Sequence, residues 1–136
     1  MQLNAHVNFN GTCEEAFKFY EKHLGGKIEV LMRYDGTPAM GMAPGDWKNK
    51  VIHGRIAIGN TTVIGADAPS GRYEAPKGTA LSLSVTSDAD ADRIFAALSE
   101  KGTVSMPIQA TFFASRFGQL VDQFGVPWMV VHQKAQ

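Results

Sequence analysis

The sequence predicts an α+β fold, two βαβββ modules in a single domain of 136 residues, forming a curved mixed sheet around a polar-lined cleft. Three observations predict it. Apolar and polar residues alternate in two short runs, one opening each half of the chain. Each run is followed by an apolar stripe at helical spacing with a capping signal, and then by three more strand-like segments. The order of elements repeats with an offset of about 75 residues, the mark of an internal duplication. The expected boundaries are a first module over about 1–68, a linker over 69–78 and a second module over about 79–133.

In "LNAHVNFN", Leu3, Ala5, Val7 and Phe9 alternate with Asn4, His6, Asn8 and Asn10, so the first strand has an oily face and a polar one. Thr12 followed by Glu15 reads as a capping box. Cys13, Ala16, Phe17, Tyr20 and Leu24 then recur at helical spacing until Gly25 and Gly26 end the helix. "KIEVLMRY" reads as a strand. "GTPAMGMAPGDWKNK" has the glycine and proline content of a loop, with Met40, Met42 and Trp47 as an apolar lid. "VIHGRIAI" and "TTVIGAD" flank Gly59-Asn60, the spacing of a tight hairpin.

After the turn-rich "APSGRYEAPKG" the order restarts. "TALSLSVT" places Leu81, Leu83 and Val85 on one face and Ser82, Ser84 and Thr86 on the other. Ser87 with Asp90 caps a second helix, whose stripe is Ala91, Ile94, Phe95 and Leu98 and which Gly102 ends. Thr12 superposes on Ser87, Ala16 on Ala91, Phe19 on Ile94 and Tyr20 on Phe95. Three strands follow, over 103–109, 114–121 and 127–132, the last two joined by "DQFG", where Asp122 is expected to shape the turn.

Composition narrows the function. The 13 basic residues match the 13 acidic ones and are interleaved with them, so no long-range field draws in nucleic acid or an anionic membrane. Cys13, the single cysteine, has no internal disulfide partner and opens an apolar stripe, where a small buried filler is expected. The start "MQLNAHVNFNG" lacks an export signal, which predicts a cytoplasmic location. No apolar run approaches the roughly 18 residues of a membrane-spanning helix. A small organic molecule is the expected partner.

A helix covers one face of its sheet, so the polar faces are expected to turn away from the helices and line the cleft. Asn8, Ser82 and Ser84 would supply hydrogen-bonding walls. His6 and His53 are the candidates for an acid-base pair, because imidazole titrates near neutral pH. Arg55 and Arg116 are candidate clamps for a carboxylate or phosphate. Trp47, Phe112, Phe113 and Trp128 are candidate walls of an apolar pocket.

Three blocks, "FNGTCEEAFKFYEKHLGGKI", "IHGRIAIGNTTVIGADAPSG" and "FGQLVDQFGVPWMV", together resemble the PhnB-like branch of the vicinal-oxygen-chelate superfamily, which includes glyoxalases, bleomycin resistance proteins and dioxygenases. The resemblance implies paired βαβββ modules, a homodimer and an aromatic pair at Phe112 and Phe113. It also implies, for many members, a divalent metal held by His, Glu or Gln from the first and last strands of each module. Here His6 lies near one such position, but the others offer Ser82 and Ser84, Ile64 and Ala66, and Met129. A hydroxyl, an aliphatic chain and a thioether do not hold a hard or borderline ion, so no metal and no cofactor are expected. The family has also carried labels of ubiquinone-precursor methylation, but "FNGT" has one glycine and no dinucleotide-type turn. The expected function is metal-independent binding of a small molecule. The alternative is an enzyme of the superfamily using histidine acid-base chemistry or a divalent metal on other ligands.

Overall fold

A computed structural model of the chain describes residues 1–39, 45–69 and 71–134. Met40 and Met42 of the expected lid lie outside the described residues. The chain divides into two compact units, Met1–Glu74 and Ala75–Gln136, and the division falls inside the expected linker.

The first unit contains β1 (Ala5–Phe9), α1 (Cys13–Leu24), β2 (Lys27–Arg33), β3 (Val51–Ile58) and β4 (Thr61–Asp67). The second contains β5 (Leu81–Ser84), α2 (Asp88–Ser99), β6 (Thr103–Gln109), β7 (Ala114–Val121) and β8 (Pro127–Gln133). Both modules are therefore βαβββ. Strand order is β1-β4-β3-β2 in one sheet and β5-β8-β7-β6 in the other. In each, the first strand pairs in parallel with the last, and the remaining ladders are antiparallel. The single curved sheet expected from the sequence is thus found as two open four-stranded sheets. Each sheet has an apolar face long enough to be covered by its own helix, which satisfies the burial requirement within the module.

The core of the first unit forms where α1 meets its sheet. Phe17 lies directly on the paired glycines Gly54 and Gly65. A Cβ at Gly65 would come within 2.7 Å of the Phe17 ring and one at Gly54 within 2.9 Å. Phe9 meets Phe17 edge to face, with ring centroids 6.0 Å apart. The second unit repeats the device with Phe95 of α2 on Gly118 of β7. Burial of each such ring contributes roughly 1.5–3 kcal/mol.

Helix ends follow the sequence at Ser87 and Gly25, whereas α2 ends at Ser99 and Lys101 (φ 57°), not Gly102, takes the left-handed turn after it. Ser87 Oγ accepts the N–H of Asp90 at 3.0 Å, as a capping box requires. Gly25 ends α1 in the left-handed region at φ 69°. Thr12 makes no side-chain cap, because a buried carboxylate from β4 takes that place. Leu3 is also displaced from expectation: β1 begins at Ala5, and Leu3 is exposed outside the ladder. The edge strands β2 and β6 both lose register with their neighbours, at Ile28/Val30 and Met32/Arg33 in one and at Val104/Met106 and Met106/Gln109 in the other. No helix of the described residues is long and apolar enough to cross a membrane.

Candidate functional site

Strand alternation decides which side chains turn away from the helices. In the first module Val7 and Phe9 are buried toward α1, so His6 and Asn8 lie on the helix-free face, where both are exposed. Cross-strand pairing continues that face through Ile64 and Arg55 to Val30, while Asn8 pairs Ala66 and His53 pairs Met32. His6 Nε2 meets Asn8 Oδ1 at 3.1 Å, and Arg55 Nε reaches Glu29 Oε1 at 3.3 Å. His6 and His53 stand on β1 and β3 with β4 between them, so two strand spacings of about 4.8 Å separate the rings' rows. They share a face but not a hydrogen bond.

In the second module two rows cross the helix-free face. One runs Ser84, Val131, Phe117, Gln109 and the other Ser82, Met129, Gln119, Met106. Phe113 meets Phe117 at 5.1 Å between centroids, and Phe112 meets Phe113 at 5.2 Å, both edge to face. Phe112 is 92% exposed and Phe113 45%. Ser82, Ser84, Phe112 and Phe113 are therefore surface groups of this module. Phe117 and Gln119 escaped the sequence reading. The signal was the glycine between them, Gly118, which packs under Phe95 and so sends both neighbours to the opposite face.

Three expected site residues lie elsewhere. Arg116 is two residues from Gly118 and shares its helix side, where Nε bonds Asp92 Oδ1 at 3.1 Å and Nη1 lies 3.4 Å from Asp88 Oδ2. Trp128 is only 2% exposed, and its Nε1 donates to Asp122 Oδ2 at 2.8 Å. Its bulk fills the core under α2 instead of a ligand pocket, because its strand partners Leu81 and Leu120 fix it on the oily face. Asp122 shapes the turn as expected, with Oδ1 accepting the N–H groups of Phe124 and Val126. Trp47 ends a short 3-10 turn, Gly45–Trp47, and its ring lies against Gly11 and 6.0 Å from the Lys50 ammonium, beside the start of α1.

Sequence reading also missed two polar ties, one buried and one half-buried. Asp67 accepts the N–H of Cys13 at 2.9 Å and that of Val51 at 2.8 Å, while Tyr34 donates to its carbonyl at 2.8 Å. Burial raises the Asp67 pKa against the lowering effect of those donors. Burial, followed by the nearby Asp67, also pushes the Cys13 thiol well above its ordinary value, which removes the nucleophilic thiolate. The equivalent positions of the second module hold Asp88, Ser115 and His132. Ser115 Oγ donates to Asp88 Oδ1 at 2.6 Å, and His132 Nδ1 lies 2.8 Å from that oxygen and 3.0 Å from Ser115 Oγ. Serine and aspartate meet the same ring nitrogen, and the serine proton points at the carboxylate. A nucleophilic triad needs them on opposite nitrogens. The cluster is a structural tie of α2 to β7 and β8.

The metal that the family resemblance implies does not fit the residues present. His6 pairs Ile64 in the first module and Ser82 pairs Met129 in the second, so each module offers at most one suitable donor at those positions. Among the described residues no group of three His, Cys, Asp or Glu side chains is placed to hold an ion.

Comparison with known proteins agrees with the architecture. The family model for the glyoxalase/bleomycin resistance protein/dioxygenase superfamily matches residues 4–130. Protein YjdN of Escherichia coli strain K12 is 29% identical over 147 aligned residues, covering 100% of this chain and 98% of YjdN. The crystal structure of PA1353 from Pseudomonas aeruginosa is 41% identical with a TM-score of 0.88, covering 99% of both chains. A PhnB protein from Bacillus cereus, 23% identical, has the same fold with a TM-score of 0.83 over 97% of this chain and 99% of its own.

Proposed function

The chain belongs to the glyoxalase/bleomycin resistance protein/dioxygenase superfamily, and within it we propose a protein that binds a small organic molecule without a metal, on the helix-free face of the second module. The observation that carries this is the cluster of exposed Phe112 and Phe113 with half-buried Phe117, beside the hydroxyls and amides of the two cross-strand rows. Aromatic surface left in water is unfavourable by about 25 cal/mol per Å², so a bound molecule that covers it gains that free energy. The neighbouring serines and glutamines orient such a molecule through hydrogen bonds. The donor set at the metal positions supports a metal-free mode.

A small-molecule library screened by ligand-observed NMR tests the proposal, using protein purified without chelator and the same protein after chelator treatment. Saturable binding that survives chelation and is lost in Phe113→Ala is expected. Affinity unchanged in that variant rejects the site, and binding that returns only with a stoichiometric divalent ion rejects the metal-free mode.

A further inference from the structure

We infer that this face selects a flat, uncharged aromatic molecule bearing an amide, carbonyl or hydroxyl group, and discriminates against carboxylates and phosphonates. The inference rests on the placement of the site proposed above and adds the class of ligand. All eight side chains of the two rows, Ser84, Val131, Phe117, Gln109 and Ser82, Met129, Gln119, Met106, are without charge. An anion laid on these rows loses hydration and finds no cation among the eight side chains in return. The nearest arginine along β7, Arg116, is turned to the opposite side and held there by Asp88 and Asp92.

Neutrality is a property of this module and not of the fold. The corresponding row of the first module, His6, Ile64, Arg55 and Val30, carries an imidazole and a guanidinium. In the second module those two positions are Ser82 and Gln119. Gln119 stands half-buried between Met129 and Met106, where its amide offers two donors and one carbonyl acceptor. The adjoining rings supply the recognition of shape. Phe113 is tilted 67° to Phe117 and Phe112 is tilted 78° to Phe113, so the cluster presents both faces and edges to an aromatic guest. Neutral hydrogen-bonding groups beside crossed rings match a planar carboxamide better than its acid.

Titration of nitrogen-labelled protein with naphthamide, naphthoate and naphthylphosphonate tests this. The carboxamide is expected to shift the side-chain amide signals of Gln119 and Gln109 and the backbone signal of Phe113, with affinity at least about tenfold above either anion. Phe113→Ala should weaken it, and Gln119→Arg should bring naphthoate up to the level of the carboxamide. An anion that binds the wild type as tightly, with shifts at the same residues, overturns the ligand class and leaves the site standing. Shifts confined to the first module, or none with any of the three, overturn the class and the site together. Broadening of the Phe113 signal with protein concentration alone would assign the face to a second copy of the chain, and would also overturn the inference.

Discussion

The carboxylate of Asp67 accepts the backbone N–H of Cys13 at 2.9 Å, joining residues 54 apart in the chain and capping α1 from the far end of β4. With its second oxygen on Val51 N–H, the same side chain ties the helix start to the start of β3. One buried group therefore closes three elements of the first module.

Replacing Asp67 with Asn puts an amide N–H₂ opposite one of those backbone donors, and the variant should lose about 1–3 kcal/mol of stability. Burial holds the Asp67 pKa above its unfolded value. The native state therefore binds this proton more tightly, and the contribution is full below the unfolded carboxylate pKa and lost as pH rises through the folded one. Urea unfolding across acid pH should show the wild type gaining stability relative to Asp67→Asn as pH falls. A difference independent of pH would contradict it.

Asp88 should behave in the opposite sense. Its pKa is lowered, first by the hydrogen bond from Ser115, then by that with His132, with Arg116 adding to both. Its contribution is present above the unfolded carboxylate pKa and lost as pH falls through the folded one. Ser115→Ala should move the Asp88 titration upward, as read from its carboxyl carbon by NMR. An unmoved titration would remove the serine from that role.

Alanine at Gly65 or Gly118 should destabilise by about 1–3 kcal/mol, as expected for overpacking. The added methyl would meet Phe17 at 2.7 Å in the first case. In the second it would meet Phe95 at 2.6 Å and the backbone of Ile108 at 3.0 Å, so Gly118→Ala has less room to relax. Thermal unfolding of the two variants against wild type measures the effect, with Gly118→Ala expected to be the worse.

Trp128 and Phe113 should separate cleanly. Trp128→Phe removes the donor to buried Asp122 and should cost about 1–3 kcal/mol of stability while leaving small-molecule affinity unchanged. Phe113→Ala alters a surface ring and should leave the unfolding midpoint nearly unchanged while abolishing binding. Measuring midpoint and affinity in both variants checks the assignment, and a Trp128 variant that folds normally but no longer binds would return that ring to the site.

Much of the fold was legible because alternation and helical spacing are local signals. β3, β4, β6 and β7 begin and end where the residue pattern places them, and the duplication supplied the order. The site was less legible because the decisive information is which face a residue takes. Arg116 and Phe117 are neighbours in sequence, yet one grips α2 and the other faces outward with Phe113. The choice was set by Gly118, whose contact with Phe95 is a tertiary fact. Trp128 looked like a pocket wall by residue type, and only its pairing with Leu81 and Leu120 puts it in the core. Asp67 and His132 act across long separations, to Cys13 and to Asp88, which no spacing rule reveals.

The loss of register in β2 and β6 has a consequence for how the chain behaves in a crowded solution. Both strands lie at the edge of their sheets, where a straight, regular ladder would template the addition of another chain. Irregular pairing in both, and Pro107 within β6, break the even row of donors and acceptors that polymerisation needs. These two edges are thereby blunted against strand addition.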